Sequence, residues 1–339
     1  LPADAKTLKN PRLYKFRPGR PDPGQPAVSI AAMFSYRHAF HAGNHADVLK
    51  HMTLLAVLGY LTQKDTALTM VDTHAGAGLY RLDGDYSQTS GEAGQGVLRL
   101  AASMQDETAW QAAAPLIRSY LEMLAGLNAG FGAGRHPGEL RVYPGSPWIA
   151  AQHLAGRHRL KLFELHPTDF RALSGNMGQL EMGRALSCQQ QDGFEALKPL
   201  LPPPSRRALV MCDPSYELKS DYARVSGLIA EALQRFATGT YAIWYPVIPR
   251  PEAHELPKKL KTLATRAGKP WLDATLTVKS SKLQKTAEGE VIRPGLPASG
   301  MFLINPPYTL HDQLKAALPQ LVSALGQDRN AGFTLARGG

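Results

Sequence analysis

The chain has 339 residues, 44% of them hydrophobic, which is enough to bury the core of one large domain or two modest ones. Its net charge of +10 suits a polyanionic partner. The two cysteines, Cys188 and Cys212, exclude a disulfide framework and a zinc site built from cysteines, so we expect a reducing cytoplasm. No apolar stretch approaches the ~18 residues of a membrane span, so we expect no membrane association.

Residues 1–32 differ in composition from the rest of the chain. They contain six prolines and six Lys or Arg residues against two Asp residues, and no apolar run of signal-peptide length. We interpret this segment as a disordered basic N-terminal extension. One folded domain over residues 33–339 is expected to follow it.

Strands alternate with helices along the folded part. Strands are predicted at 67–71, 160–164, 185–189, 208–212, 240–247, 273–280 and 300–305. A helix is predicted to begin at the candidate N-cap Asn44, and another to span 220–236 with Gly239 as its C-cap. Residues from about 90 to 140 are interpreted as a helical insertion with one helical stretch around 107–127. The alternation predicts an α/β fold in which helices cover both faces of a mostly parallel sheet.

Polar residues follow four of the predicted strands. Asp72 and a glycine-rich turn follow the first, Glu164 ends the second, Asp192 and Gly193 follow the third, and Asp213 follows the fourth. In an open parallel sheet, ligands bind at the carboxyl edge beside the topological switch point. A glycine-rich turn exposes backbone N–H groups, an acid at the second strand can accept ribose hydroxyls, and a later Asp can accept an adenine amine. This series fits S-adenosylmethionine or a dinucleotide.

The dinucleotide alternative corresponds to an oxidoreductase. Its fingerprint is Gly-x-Gly-x-x-Gly with an acid about 20 residues later. Here the turn contains only Gly76 and Gly78, and Glu164 lies far beyond the insertion. The spacing therefore favours S-adenosylmethionine.

The fourth strand ends in Asp213-Pro214-Ser215-Tyr216. The Asp213 carboxylate and the Pro214 carbonyl can accept the two hydrogens of an exocyclic amine, and the Tyr216 ring can stack on the base. Proline also stiffens the loop, because it fixes its own φ and restricts the preceding residue. The motif therefore predicts a site for methylation of a base amine, with Asp213, Pro214 and Tyr216 as the catalytic group.

A second candidate motif is Asn305-Pro306-Pro307-Tyr308, which lies closer to the general amino-methyltransferase signature. In a class I methyltransferase sheet the seventh strand runs antiparallel, so Asn305 is expected at the opposite edge from the donor. We therefore predict a structural turn at Asn305.

Five histidines, His38, His41, His45, His51 and His74, raise the alternative of a metal site. Their spacing matches no helical metal pair with a partner Glu, and we expect neutral, hydrogen-bonded imidazoles and no metal. Ser146 precedes Pro147 and is predicted to cap a helix.

Five blocks of this sequence resemble the RlmJ family of bacterial 23S ribosomal RNA adenine-N6 methyltransferases. The longest is residues 33–51 (MFSYRHAFHAGNHADVLKH). The others are 72–78 (DTHAGAG), 143–147 (YPGSP), 164–167 (ELHP) and 244–247 (WYPV). The resemblance covers residues 33 to about 321 and leaves out the basic extension.

The resemblance implies a Rossmann-like class I methyltransferase with a small helical insertion subdomain. It implies S-adenosylmethionine as donor and N6-methyladenosine in 23S ribosomal RNA as product. It also implies a contact between Tyr36 and the RNA, and a catalytic role for Asp213. The residues implied to line the donor site are His51, His74, Gly76, Ser146, Glu164, Asp192, Gly193 and Asp213.

One position departs from the family pattern, which has a second proline where this chain has Ser215. Because Asp213 and the Pro214 carbonyl remain, we expect a looser loop and slower turnover with the chemistry retained. The alternatives are a DNA adenine methyltransferase, a protein-glutamine methyltransferase, and a ribosome-assembly factor that binds the donor without turnover. We expect a monomer.

Overall fold

The computed structural model describes residues 41–82, 91–131, 140–282, 284–285, 291–292 and 295–339. The expected basic extension over residues 1–32 and the predicted RNA contact Tyr36 lie outside these residues. The described chain begins at His41, in the turn that leads into the first helix.

Twelve strands occur in the described residues. In chain order they are β1 Thr69–Asp72, β2 Leu79–Arg81, β3 Val142–Pro144, β4 Arg159–Phe163, β5 Leu186–Gln189, β6 Ala208–Cys212, β7 Thr240–Val247, β8 Trp271–Thr277, β9 Gln284–Lys285, β10 Val291–Ile292, β11 Ala298–Ile304 and β12 Gly332–Gly338. Eight of them form the central sheet, in the order β12-β8-β11-β7-β6-β1-β4-β5. The pairs β2–β3 and β9–β10 form two small antiparallel sheets.

The central sheet is parallel from β5 to β7 and antiparallel beyond. Strand β1 pairs in parallel with β4 on one side and with β6 on the other, so its carboxyl end is the topological switch point. Strand β11 runs antiparallel to both β7 and β8. The predicted parallel sheet and the predicted reversal of the seventh strand are therefore confirmed. Strand β12, at the edge of the sheet, was not predicted.

Eleven α-helices occur in the described residues. They are α1 His45–Leu61, α2 Glu92–Gln95, α3 Val97–Ser103, α4 Glu107–Ala112, α5 Pro115–Ala129, α6 Ser146–His153, α7 Pro167–Met177, α8 Gly193–Ala196, α9 Lys219–Arg235, α10 Pro251–Arg266 and α11 Leu310–Leu325. None of these helices is long and apolar enough to cross a lipid bilayer.

Helix α1 begins as the sequence predicts. The Asn44 side chain accepts a hydrogen bond from the Asp47 backbone N–H at 2.9 Å and satisfies one of the free donors of the first turn. Two other predicted helix ends are wrong. Helix α9 ends at Arg235 with Phe236 as its C-cap residue, three residues before Gly239. Gly145, and not Ser146, is the N-cap residue of α6.

The predicted single helical stretch around 107–127 is two helices. Helix α4 ends at Ala112 and α5 starts at Pro115, because proline disfavours helical backbone in the residue before it. The Gln320 side chain of α11 holds the break, since it accepts from the Ala114 N–H at 2.9 Å and donates to the Ala112 carbonyl at 3.1 Å. The inserted helices are thereby attached to a C-terminal helix of the main domain.

Two hydrophobic clusters cover the two faces of the sheet. One contains α1, the inserted helices, α6, α7 and α11, with side chains such as Leu49, Ile117 and Leu318. The other contains α9 and α10, with side chains such as Ile229 and Leu260. The interior is therefore layered, and the carboxyl ends of the parallel strands emerge between the two layers.

Candidate active site

The carboxyl ends of β1, β4 and β6 bring three acids to one edge of the sheet. Asp72 is the last residue of β1, and its partners in register are Leu162 of β4 and Met211 of β6. Glu164 and Asp213 are the first residues after β4 and β6. The parallel pairing therefore places residues separated by up to 141 positions in the sequence side by side.

The turn after β1 is shaped for close approach of a ligand to the backbone. Gly76 has φ of 61°, a backbone conformation that residues other than glycine rarely adopt. Its N–H donates to Glu164 Oε2 at 2.8 Å. The Ala77 N–H donates to the Tyr80 hydroxyl at 3.0 Å. These bonds fix the turn against the end of β4 and against β2.

The buried surroundings of Glu164 oppose its ionisation. Its two oxygens accept from the backbone N–H groups of Gly76 and His166, at 2.8 and 2.7 Å, and these bonds favour the carboxylate. Burial outweighs them and raises the pKa of Glu164 to about 7. Near neutral pH this carboxyl therefore changes its charge readily when a ligand supplies hydrogen-bond donors.

Asp72 forms the floor of the same region. It is fully buried and accepts from the Ser146 hydroxyl at 2.6 Å and from the His74 N–H at 3.2 Å. Burial raises its pKa to about 6, although both hydrogen bonds lower it. Ser146 therefore belongs to the site, but its hydroxyl binds Asp72 and does not cap α6.

Asp192, Gly193 and Phe194 form a second turn, after β5. Asp192 accepts from the Phe194 N–H at 2.9 Å, and its other oxygen lies 2.6 Å from the Arg224 guanidinium. The same guanidinium lies 4.1 Å from the centroid of the Phe194 ring. A Cβ at Gly193 would collide with the Thr73 carbonyl, so only glycine lets the two turns meet.

Two histidines stand beside these turns. His74 Nδ1 and the Thr73 hydroxyl are hydrogen-bonded at 2.8 Å. The His74 ring contacts Phe194 edge-on, with the ring centroids 4.8 Å apart. Burial lowers the pKa of His74 to about 4, so the ring is neutral at physiological pH. His51 is 1% exposed and bonds through Nδ1 to the Tyr143 hydroxyl at 2.8 Å. Within the described residues, no group of three or more His, Cys, Asp or Glu side chains is arranged to hold a metal ion.

A cavity of about 260 Å³, here called the smaller cavity, joins these residues. It is lined by all eight residues that the family resemblance implied for the donor site: His51, His74, Gly76, Ser146, Glu164, Asp192, Gly193 and Asp213. The structure therefore brings the full predicted set into one site.

A larger cavity of about 1130 Å³ lies on the other side of Asp213. Its walls come from the start of α1, the end of β7, the loop before α10 and residues 295–297, and Glu92 of the insertion also faces it. Four residues line both cavities: Lys50, Asp213, Ser215 and Glu217. The two cavities therefore meet at the Asp213 loop.

Lys50 holds the Asp213 carboxylate at this junction. Its ammonium lies 2.6 Å from Asp213 Oδ2 and 2.8 Å from Asp47 Oδ1, and its side chain is 5% exposed. Burial alone lowers the pKa of Lys50, but the two carboxylates outweigh it, and the net direction is upward. Within the described residues, Asp213 Oδ1 accepts no hydrogen bond, so one carboxylate oxygen is left for a ligand.

The sequence reading missed Lys50, although a signal was present. Helix α1 is buried around its whole circumference from His45 to Leu58. A lysine in a helix that is apolar on all sides needs a buried partner. Asp47 lies one turn before it, but Asp213 is 163 residues away and becomes visible as a partner only in the fold.

Comparison with known proteins gives the class of enzyme. A family model described as "Ribosomal RNA large subunit methyltransferase D, RlmJ" matches residues 65–336. The chain belongs to this family. As a member of the RlmJ family it is a methyltransferase that uses S-adenosylmethionine, so the predicted family, enzyme class and donor are confirmed. The oxidoreductase alternative is thereby set aside.

Individual relatives agree with the family model over most of the chain. A protein of Haemophilus influenzae named "Ribosomal RNA large subunit methyltransferase J" is 40% identical over 303 residues, covering 89% of this chain and 98% of the relative. A protein of Escherichia coli strain K12 with the same name is 38% identical over 293 residues, covering 86% and 94%. A crystal structure of a Legionella pneumophila protein matches with a TM-score of 0.72 at 29% identity, covering 88% and 98% of the two chains. The predicted class I methyltransferase fold is confirmed.

The loop of this RlmJ family member contains one departure from the expected geometry. Tyr216 is 2% exposed, has φ of 54°, and donates its hydroxyl to the Trp244 carbonyl at 2.7 Å. Arg250 in turn donates to the Tyr216 carbonyl at 3.0 Å. Tyr216 lines the larger cavity, but a ring this buried has no face open to a base. The geometry indicates an anchor for the loop and does not support the predicted stacking.

The second candidate motif lies at the opposite edge of the sheet, as predicted. Asn305 follows β11, whose last residue pairs with Tyr241 near the start of β7. Its side-chain amide donates to the carbonyls of Ala237 and Gly239 at 2.9 and 2.6 Å, and its φ is 53°. Asn305 therefore has the predicted structural role, as a bend directly after β11, and it lines neither cavity.

Proposed function

We propose that this chain transfers the methyl group of S-adenosylmethionine to the N6 amine of an adenosine in 23S ribosomal RNA. The observation that carries the proposal is the meeting of the two cavities at Asp213. A donor in the smaller cavity and a base in the larger one would approach each other at the carboxylate that is suited to hold an amine. The names of the two curated relatives support large-subunit ribosomal RNA as substrate.

The residues of the smaller cavity fit the proposed donor. The Glu164 carboxyl suits two ribose hydroxyls, and the turn at Asp192 and Gly193 suits an adenine edge. When bound, S-adenosylmethionine supplies an electrophilic methyl group on a positively charged sulfur. Because Asp213 directly follows β6, we place the reacting end of the donor there and its nucleoside end over β4 and β5.

Asp213 and Pro214 are proposed to activate the amine. The nitrogen lone pair of adenine N6 is delocalised into the ring, which makes it a weak nucleophile. Asp213 Oδ1 and the Pro214 carbonyl would each accept one amine hydrogen and stabilise the positive charge that develops on nitrogen as the carbon–nitrogen bond forms. Asp213, or a water beside it, then takes the proton that the product amine loses. Lys50 would hold the carboxylate in place for this through its ion pair with Asp213 Oδ2.

The larger cavity is proposed to receive an adenosine removed from its stack. Enzymes that modify a base usually extrude it into a pocket, because the reacting atom is inaccessible within a helix. A cavity of about 1130 Å³ has room for the target nucleotide together with part of its neighbours. We retain Tyr36 as a proposed RNA contact and assign Tyr216 to holding the loop, through its bonds to Trp244 and Arg250.

One chain supplies both cavities, which supports a monomer as the active form. A ribosomal substrate also supports the expected cytoplasmic location. Transfer of a methyl group from a sulfonium needs no Lewis acid, because the leaving sulfur already carries a positive charge. The proposed reaction therefore involves the protein, the donor and the RNA.

The decisive experiment is tritium transfer from labelled S-adenosylmethionine to unmodified 23S RNA, followed by nucleoside analysis. Wild type should yield N6-methyladenosine. Asp213→Ala should lose at least about three orders of magnitude in rate while it still binds S-adenosylhomocysteine. Asn305→Ala is the matched control, since it alters the second motif and should keep the catalytic rate per folded molecule.

Other outcomes would redirect the assignment. Methylation of DNA or of a protein glutamine, and not of RNA, would favour the alternative amine substrates. Donor binding without transfer in a single turnover would favour an assembly factor, and Ser215→Pro would then be the first variant to test. A near-normal rate for Asp213→Ala would remove Asp213 from the mechanism.

A further inference from the structure

A chain of buried hydroxyl groups connects the inserted helices to the smaller cavity. The Tyr120 and Tyr143 hydroxyls are 2.8 Å apart, and the Tyr143 hydroxyl is 2.8 Å from His51 Nδ1. All three side chains are at most 1% exposed. Tyr120 lies on α5 of the insertion, whereas His51 lies on α1 and lines the cavity. The insertion therefore reaches the wall of the proposed donor site through two phenols.

The middle residue of this chain is itself fixed to the glycine-rich turn. Tyr143 lies on β3, which pairs with β2 directly after that turn, and its partner in register is Tyr80. The Tyr80 hydroxyl accepts from the Ala77 N–H. Tyr143 is thus held between the turn on one side and the insertion on the other. Its hydroxyl has little freedom to rotate away from His51.

The protons of the chain can be assigned. Burial raises the pKa values of Tyr120 and Tyr143, so both phenols keep their single proton. On the other side of the His51 ring, Nε2 lies 3.9 Å from Asp47 Oδ1, and Asp47 also binds the Lys50 ammonium. A carboxylate favours the proton on the nearer ring nitrogen, Nε2. With the proton on Nε2, Nδ1 is the acceptor, so Tyr143 would donate to His51 Nδ1 and Tyr120 would donate to Tyr143.

We propose that Tyr120 and Tyr143 are positioning residues that hold His51 in its Nε2–H tautomer and in one orientation, so that the helical insertion supports binding of the methionine half of the donor. This rests on the proposed placement of the donor in the smaller cavity. The nucleoside end is assigned to the residues after β4 and β5. Ser146 binds Asp72 at the end of β1, and Lys50 binds Asp213 directly after β6. His51 follows Lys50 in α1 and lines the same cavity. His51 therefore faces the methionine half.

Paired phenylalanine variants test this proposal. Tyr143→Phe removes the hydroxyl that touches His51, and Tyr120→Phe removes the outer one, while both keep the aromatic ring. Tyr241→Phe is the matched control: Tyr241 is also fully buried, and its hydroxyl donates to the Phe236 and Ala232 carbonyls in the other hydrophobic cluster. All three variants are expected to unfold at somewhat lower temperature, since each leaves buried partners unpaired.

Affinities for two ligands distinguish a positioning role of the tyrosines from a mere loss of stability. Affinities for S-adenosylhomocysteine and for adenosine are measured by calorimetry on each folded protein. Tyr143→Phe should weaken S-adenosylhomocysteine about tenfold, Tyr120→Phe less, and neither should change adenosine binding, which lacks the methionine half. Tyr241→Phe should change neither affinity. Nitrogen NMR of the His51 ring should show the Nε2–H form in wild type and a mixture of tautomers in Tyr143→Phe.

Three results would overturn the proposal. The first is an S-adenosylhomocysteine affinity in Tyr143→Phe within twofold of wild type. The second is an equal loss for S-adenosylhomocysteine and adenosine, and the third is an unchanged His51 tautomer. The proposed function is judged separately, by whether wild type binds S-adenosylhomocysteine and by the methylated atom in the RNA product.

Discussion

The Lys50 ammonium lies 2.6 Å from Asp213 Oδ2, in the wall that separates the two cavities. The same ammonium binds Asp47 at 2.8 Å, so one buried cation neutralises two acids that lie 166 residues apart in sequence. Without the lysine, both carboxylates would face each other in a region with little water. Lys50 therefore has a structural role and, under the proposed assignment of Asp213, would also position the carboxylate that accepts the amine.

Lys50→Met is expected to lower the free energy of unfolding by about 3–5 kcal/mol, because it leaves two partly or fully buried carboxylates without their counter-charge. Urea denaturation at pH 7 measures the change. Asp47→Asn in the Lys50→Met background should restore part of the stability, since it removes one of the stranded charges. Lys64→Met, at an exposed lysine, should stay within about 0.5 kcal/mol of wild type. A Lys50→Met protein as stable as wild type would mean that the ion pair contributes nothing.

The raised pKa of Glu164 predicts that donor binding depends on pH. Its pKa is raised to about 7, and ribose hydroxyls donate best to the ionised carboxylate. Affinity for S-adenosylhomocysteine should therefore fall as the pH drops below about 7, by up to about tenfold per unit, with release of a proton on binding. Calorimetry in buffers of different ionisation enthalpy measures that proton.

Glu164→Gln should bind more weakly and lose this pH dependence. Glu195→Gln, at an exposed acid of α8, is the control and should keep it. The raised pKa of Glu164 also makes the stability of the fold depend on pH. Because the folded protein holds the proton more tightly than the unfolded chain does, the contribution of Glu164 to stability is lost as the pH rises from 4.5 towards about 7. An affinity that is flat between pH 6 and 8 in wild type would contradict the assignment of Glu164.

Two glycines form a matched pair for testing the turn after β5. A Cβ at Gly193 would collide with the backbone of Thr73, so Gly193→Ala must separate the two turns and should weaken donor binding at least about tenfold. Gly227 lies inside α9, and a Cβ added there would meet open space, so Gly227→Ala should stabilise the fold by about 0.5–1 kcal/mol and leave binding unchanged. Thermal melting and calorimetry on both variants measure these effects. Similar affinities for the two variants would show that close approach of the turns is unimportant.

Asn305→Ala should affect stability alone. The substitution removes two hydrogen bonds to the Ala237 and Gly239 carbonyls and leaves a non-glycine residue at positive φ, which together cost about 1–3 kcal/mol. Donor affinity and catalytic rate per folded molecule should match wild type. Loss of transfer with an intact fold would return the second motif to consideration as the catalytic one.

Much of the donor site was predictable from the sequence, because it follows from strand ends. Once Asp72, Glu164 and Asp213 are placed after parallel strands, pairing in register forces them to one edge. The antiparallel direction of β11 was predictable from the class of sheet and removed Asn305 from the site. The assignment of His51, His74 and Ser146 to the donor site came from the resemblance to the RlmJ family.

What the sequence did not predict depends on contacts between distant residues. The partners of Lys50 and Tyr143 lie on other helices or loops, far away in sequence, and no local sequence pattern predicts these contacts. The burial of Tyr216 depends on Trp244 and Tyr222, so its ring could not be distinguished from an open stacking surface in advance. Strand β12 was missed because its side chains are mostly exposed and show no apolar run.

Helix α1 has one further consequence, which comes from the adjacency of Lys50 and His51. Two successive residues of α1 border the cavities: Lys50 lines both, and His51 lines the smaller one. Any ligand that fixes this turn removes conformational freedom that the other ligand would otherwise have to remove. Donor and RNA should therefore strengthen each other's binding by the same factor, as linkage requires. The order in which the two products leave then depends on which of them releases this turn first.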